Sequence, residues 1–78
     1  MQMFDRELFR KRLNGRRKKL GLSFKQLSLT TGISTSTINN YAIGTRLPNL
    51  EFAFLLAQAL GVSMNWLCGI DRLKEVRQ

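Results

Sequence analysis

Leu22-Ser23-Phe24-Lys25-Gln26-Leu27-Ser28-Leu29-Thr30-Thr31-Gly32-Ile33-Ser34-Thr35-Ser36-Thr37-Ile38-Asn39-Asn40-Tyr41 carries two helix starts separated by one helix stop, and its reading decides the fold. Ser23 with Gln26 three residues on forms a capping box, in which the serine hydroxyl satisfies a free backbone N–H and the glutamine side chain reaches back to the serine backbone. Leu22 and Leu27 stand at the two positions of a hydrophobic staple. Gly32 stops this helix. Ser34 then opens the next one with Ile33 and Ile38 in the same staple positions, and Gly44 closes it. Two capped helices of about eight to ten residues, joined through one glycine, predict the compact turn of a helix-turn-helix, the pair that DNA-binding domains use.

Outward from that pair, the pattern stays helical. A first helix is expected from Arg6 to Leu20, after Asp5 as N-cap, with Phe9, Leu13 and Leu20 at helical spacing and Gly21 as its stop. Leu47-Pro48-Asn49 breaks the chain, because a residue before proline avoids the helical region and Asn49 is a good cap for a fourth helix, Leu50 to Leu60. After Gly61, Ser63 caps a short fifth helix through Cys68. No strand, internal repeat or low-complexity stretch interrupts this order. The expectation is an all-α, compact five-helix bundle with a helix-turn-helix over residues 1–69. Residues 70–78 form a C-terminal tail, either a short helical extension or the start of a linker.

Charge points to the partner. Between Leu8 and Leu50 there is no acidic residue but nine Lys or Arg, and the whole chain carries a formal charge of +8 from 13 Lys+Arg against 5 Asp+Glu. Such a balance selects a polyanion, either nucleic acid or an acidic membrane surface. The longest apolar run, Phe52 to Ala57, is far too short to span a bilayer, and the N-terminus has no run of signal-peptide length, so a soluble, cytoplasmic protein is expected. Cys68 is the lone cysteine and histidine is absent. That excludes an intramolecular disulfide and argues against a protein-ligated zinc ion; no metal or other cofactor is expected. With no histidine, no phosphate-binding glycine loop and no carboxylate pair in the body of the domain, an enzyme is the weakest reading.

Several spaced blocks together resemble the lambda repressor-like family, the Cro/C1-type helix-turn-helix domains of phage repressors and many small bacterial regulators. They are Gly21-Leu22-Ser23, Gly32-Ile33-Ser34-x-Ser36-Thr37-Ile38, Gly44-x-Arg46-x-Pro48-x-Leu50-Glu51 and Ala57-x-Ala59-Leu60-Gly61-Val62-Ser63. The resemblance runs from about Phe9 to Gly69. It implies a third helix, Ser34 to Ile43, lying in the DNA major groove while the second crosses the backbone above it. By position it implies base contacts from Thr35, Ser36 and Asn40, and phosphate contacts from Arg17, Ser34, Asn39, Thr45 and Arg46. The residues themselves agree in one respect: Ile38 and Tyr41 must face inward, which leaves Thr35, Ser36, Asn39 and Asn40 outward. On the residues alone, that face reads equally well as capping hydroxyls and solvated asparagines; the resemblance favours readout, since Asn can bond the adenine edge in two places and Thr can touch a thymine methyl.

The chain departs from the family at three places. Phe24 stands where relatives often place a DNA-contacting glutamine, and is expected to tuck against the first helix. Ala42 replaces a frequent glutamate near the end of the third helix, which removes an ion pair with Arg17 and is expected to free Arg17 for phosphate. No arginine stands at the base-reading positions, so shape readout is expected to share the work. The basic residues of the first helix, from Arg10 to Lys19, spread too far round it to touch DNA together; about a third are expected at phosphates and the rest on a solvated face. The function implied is a sequence-specific regulator, a phage or mobile-element repressor that binds double-stranded operator DNA as a homodimer, with no membrane or small-molecule partner. An antitoxin of the same fold is the alternative. On the fourth helix, Ala53, Leu56, Ala57 and Leu60 form the expected core stripe. Phe52, Leu55 and Ala59 form a second one, which with Trp66 and Leu67 is the expected dimer surface unless Met3, Phe4, Ile70 or Leu73 covers it. The remaining aromatics, Phe54 among them, are expected to be buried or half-buried.

Overall fold

The structure, a computed structural model, describes residues 4–72. Within them the chain forms α1 (Arg6–Lys19), α2 (Phe24–Thr31), α3 (Thr35–Ile43), α4 (Leu50–Leu60), α5 (Met64–Cys68) and a closing 3₁₀ turn, Ile70–Arg72; there is no strand among the described residues. Every boundary has a local cause. Each helix begins at a side chain that accepts a hydrogen bond from the backbone N–H three residues on: Asp5 from Leu8, Ser23 from Gln26, Ser34 from Thr37, Asn49 from Phe52 and Ser63 from Trp66. At Ser23 the reciprocal bond is also made, the Ser23 N–H donating to the Gln26 side chain at 2.7 Å. α2 through α5 each end at a glycine, and at Gly44 the left-handed φ of 89° makes that residue type necessary. α1 ends one residue earlier than the expected Leu20, which lies past the last turn as C-cap and is exposed, so it adds nothing to the core.

The core joins all five helices: Phe9 and Leu13 from α1, Leu27 from α2, Ile33, Ile38, Tyr41 and Ala42 around α3, Leu56, Ala57 and Leu60 from α4, and Leu67 from α5. Leu67, expected at the dimer surface, is fully buried; it is a core residue of a single chain because α5 turns that side chain back under α1 and α4. Phe54, expected to be covered, is 48% exposed and Leu50, one turn before it, 78%. Phe52, Leu55 and Ala59 instead pack partly against the core. Phe4 packs on Phe9, with ring centroids 6.1 Å apart and planes tilted by 46°. Met3 and Leu73 lie outside the described residues.

Helices this short are marginal on their own, and α1 holds the others by their ends. The Asn14 amide donates to the Ala42 carbonyl of α3 at 2.8 Å, and Arg16 Nε to the Leu60 carbonyl of α4 at 2.7 Å. Arg12 donates to the Trp66 carbonyl of α5 and, at 2.8 Å, to Asp71 in the 3₁₀ turn. Arg6 reaches the Gly44 carbonyl at 3.4 Å. The carbonyls at a helix C-terminus lack intrahelical partners and carry the negative end of the helix dipole, so cationic donors suit them. Thus Arg12 and Arg16, read from sequence as part of a solvated or phosphate-facing set, act first as cross-links inside the chain, as does Arg6.

Gly15 stands inside α1, exposed, and a Cβ there would meet nothing within 4 Å. A helix-interior glycine costs about 0.5–1 kcal/mol against alanine. Gly15→Ala is therefore expected to stabilise the domain by that amount and to raise the thermal midpoint by about 2–8 °C in calorimetry.

Candidate nucleic-acid interface

The outer face of α3 is polar along its first two turns and ends on Ile43, which is 57% exposed. Thr35, Ser36 and Asn39 are exposed and Asn40 half-buried. Among the described residues, their side chains make no hydrogen bond within the chain, whereas the inner face, Ile38, Tyr41 and Ala42, is buried. The helix is pinned at both ends. At its start the Ser34 hydroxyl accepts from the Thr37 N–H at 3.1 Å and donates to the Thr37 hydroxyl at 2.8 Å. At its finish the Asn40 carbonyl accepts from the Gly44 N–H at 3.1 Å, the Thr45 N–H at 3.0 Å and the Thr45 hydroxyl at 3.2 Å. This wrapped turn fixes where Thr45 and Arg46 leave the helix.

The expected phosphate-facing residues divide into free and committed groups. Arg46 is exposed, its N–H donates to the Asn40 carbonyl at 3.4 Å and its side chain has no hydrogen-bond or ion-pair partner among the described residues; its charge lies close enough to Tyr41 to favour the phenolate, although burial dominates and raises that phenol above its ordinary pKa. Asn39 is also free. Ser34 and Thr45 already use their hydroxyls inside the chain, and the Thr45 N–H is bonded to the Asn40 carbonyl as well, which leaves the Ser34 N–H as the available donor of the two. Arg17 is partly engaged within the chain. It is not released by the loss of an acidic partner at Ala42: its Nη1 donates to the Leu22 carbonyl at 2.9 Å and its guanidinium lies 4.5 Å from the centre of the Phe24 ring. The pair explains Phe24 as well, since the ring packs partly on the core and offers its face to a cation.

Helix-end electrostatics favour an anion on the same side of the molecule. α1 and α4 carry Glu7 and Glu51 in their first turns, which neutralise the positive ends of those helices; α2 and α3 carry no acidic residue there. Their N–H groups and partial positive charge stay available to phosphate. Lys25 is exposed in the first turn of α2, and Arg46 is exposed just after α3. Lys25 was not singled out from sequence; its signal was its place next to a capped, acid-free helix start.

What sequence reasoning missed most was the inward use of α1. Asn14 is the clearest case: a mid-helix asparagine bonded both to the Arg10 carbonyl at 3.1 Å and across to α3. It sets the angle at which α3 leaves the bundle, and so the angle at which its outer face is presented. Among the described residues there is no group of three or more His, Cys, Asp or Glu able to hold a metal ion, and no helix is long and apolar enough to cross a membrane.

Residues 15–67 match the family described as helix-turn-helix. An uncharacterized HTH-type transcriptional regulator of Haemophilus influenzae is 42% identical over 66 residues, 85% of this chain and 62% of that protein, so the chain spans less than two thirds of that relative's length. Among solved structures, the P22 c2 repressor in complex with a synthetic operator superposes with a TM-score of 0.73 at 32% identity, over 77% of this chain and 91% of that one. The restriction-modification controller protein C.AhdI from Aeromonas hydrophila gives 0.75 at 30% identity, over 81% and 96%.

Proposed function

The chain belongs to the Cro/C1-type helix-turn-helix family, and from that membership we propose that it is a DNA-binding transcriptional regulator, a repressor of a phage or mobile-element promoter acting as a homodimer on a palindromic operator. The observation that carries the reading is the outer face of α3, where the side chains of Thr35, Ser36, Asn39 and Asn40, and that of Arg46 after the helix, have no partner among the described residues. A polar ridge on a helix pinned at both ends suits the major groove. Ser36 projects from its first turn and Asn40 from its second, where side chains of their length meet base edges, and Asn is the residue that bonds adenine in two places. Arg46, Asn39 and the N–H groups at the starts of α2 and α3 are placed to hold phosphates and fix the register, with Arg17 steadying the turn before α2. Likeness in fold to the P22 c2 repressor, solved in complex with a synthetic operator, supports the reading of DNA as the partner.

A two-fold dimer sets two recognition helices about 34 Å apart, one turn of DNA. We place its contact on α4. Exposed Leu50 and Phe54, one helical turn apart, support this more strongly than Trp66, whose ring is engaged by Arg12 at 4.6 Å. Half-buried Phe52 and Leu55 lie about 100–160° round the helix from Phe54 and pack against the core, so they belong to a different flank.

Three outcomes test this reading. Affinity for operator DNA, measured by fluorescence anisotropy, is expected to fall on the order of a thousandfold between about 50 and 200 mM salt, as for about six to ten neutralised phosphates; Arg46→Ala is expected to flatten that slope by about one unit. A flat salt response removes DNA as the partner. Asn40→Ala is expected to cost about 1–3 kcal/mol on the true site and far less on mixed-sequence DNA; equal losses on both would reduce Asn40 to a backbone contact. Phe54→Glu is expected to give a folded monomer in sedimentation equilibrium with sharply weakened operator binding, because two half-sites are no longer linked. A folded dimer from that variant would move the interface off this face of α4.

A further inference from the structure

Away from α3 lies a groove of about 330 Å³ between α1 and α5, lined by Lys11, Arg12, Gly15, Arg16, Lys19 and Trp66. Its direction follows from helix geometry. Arg6 and Asn14 meet the end of α3, the Arg10 stem lies against Gly44, and Arg17 meets the turn before α2. At about 100° per residue, Lys11, Gly15 and Lys19 project from the other side of α1. A duplex held on the outer face of α3 therefore leaves this groove open to solvent.

Its chemistry is apolar at the floor and cationic at the rim. Arg12 and Arg16 have their guanidinium groups committed to the Trp66 and Leu60 carbonyls, so it is their stems that form the walls. Lys11 and Lys19 are exposed and have no ion-pair partner among the described residues. Between them Gly15 leaves the helix backbone bare, although nothing in the chain's own packing requires a glycine there, since an added Cβ would touch nothing within 4 Å. A bare stretch of helix that the fold does not need, set between two free ammonium groups and beside an indole, is suited to an external side chain.

We propose that this groove binds an acidic segment of a partner protein, which seats an apolar side chain over Gly15 against Trp66 and sets carboxylates on Lys11 and Lys19. Charge complementarity selects an acidic occupant. The two lysines are two helical turns apart, about 12 Å along the axis at about 1.5 Å per residue, which an extended segment spans with carboxylates about four residues apart. Nucleic acid fits less well, because Arg12 lies 4.6 Å from the centre of the Trp66 ring, over one face of the indole, and takes that face from a stacking base. The consequence is a domain that holds DNA on one side of α1 and an acidic protein on the other.

The test uses the isotope-labelled protein and a short peptide probe with a central leucine flanked on each side by two glutamates, titrated with and without saturating mixed-sequence duplex DNA. The expected result is movement of the Gly15 amide and Trp66 indole resonances, not of Thr35 to Asn40, persisting in the DNA-bound protein. Charge reversal by Lys11→Glu with Lys19→Glu is expected to weaken the peptide by about tenfold or more. Gly15→Gln, which fills the groove with a good helix former, is expected to weaken it at an undiminished melting temperature. The proposal is overturned if the probe leaves Gly15 and Trp66 unmoved, or if a probe with glycine in place of leucine binds equally well. It is also overturned if the variants bind as the parent does, or if DNA itself moves those two resonances or displaces the peptide.

Discussion

Helices of five to fourteen residues leave a large share of their backbone N–H and C=O groups without intrahelical partners, and satisfying those ends is the constraint from which the rest of this structure follows. At the starts the solution is local: one short side chain, five times over, turns back onto the third N–H of its own helix. At the finishes the solution is partly non-local, with Asn14, Arg16, Arg12 and Arg6 of α1 reaching carbonyls at the ends of α3, α4 and α5. Each such bond from a partly exposed cation or amide contributes about 1 kcal/mol. Their geometric effect is larger than that figure suggests, since they set the directions of three helices against one strut while the apolar cluster beneath supplies the bulk of the stability.

The same constraint sorts the positive charge. Cations used to close helix ends face inward and lend the molecule field but no contacts; among the described residues those left over include Lys25 in α2 and Arg46 after α3, Lys11 and Lys19 on the far side of α1, and Lys18 next to Lys11. A chain of formal charge +8 thus sets its free cations in two groups, one on the helix pair and one on α1. The acid-free starts of α2 and α3 add partial charge to the first of these. Arg17 belongs to neither, because its bond to Leu22 and its place over Phe24 make it part of the turn that joins α1 to α2.

The sequence by itself determined the local grammar: the five caps, the glycine stops, the boundaries of α2 through α5, and the inward turn of Ile38 and Tyr41 that leaves Thr35, Ser36, Asn39 and Asn40 outside. These are legible because each depends on residues within three or four positions of one another, and the periodicity of one helix states which of its faces is apolar. Tertiary structure alone decided matters that depend on what stands opposite. Leu67 and Phe54 are both apolar and both at helical spacing, yet one is fully buried and the other half exposed, because α1 covers the inner side of α5 and no described element covers that side of α4. Arg12, Arg16 and Arg17 read from the chain as surface charge; their partners lie on other helices or across a turn, and no pattern within α1 announces a carbonyl 44 or 54 residues away.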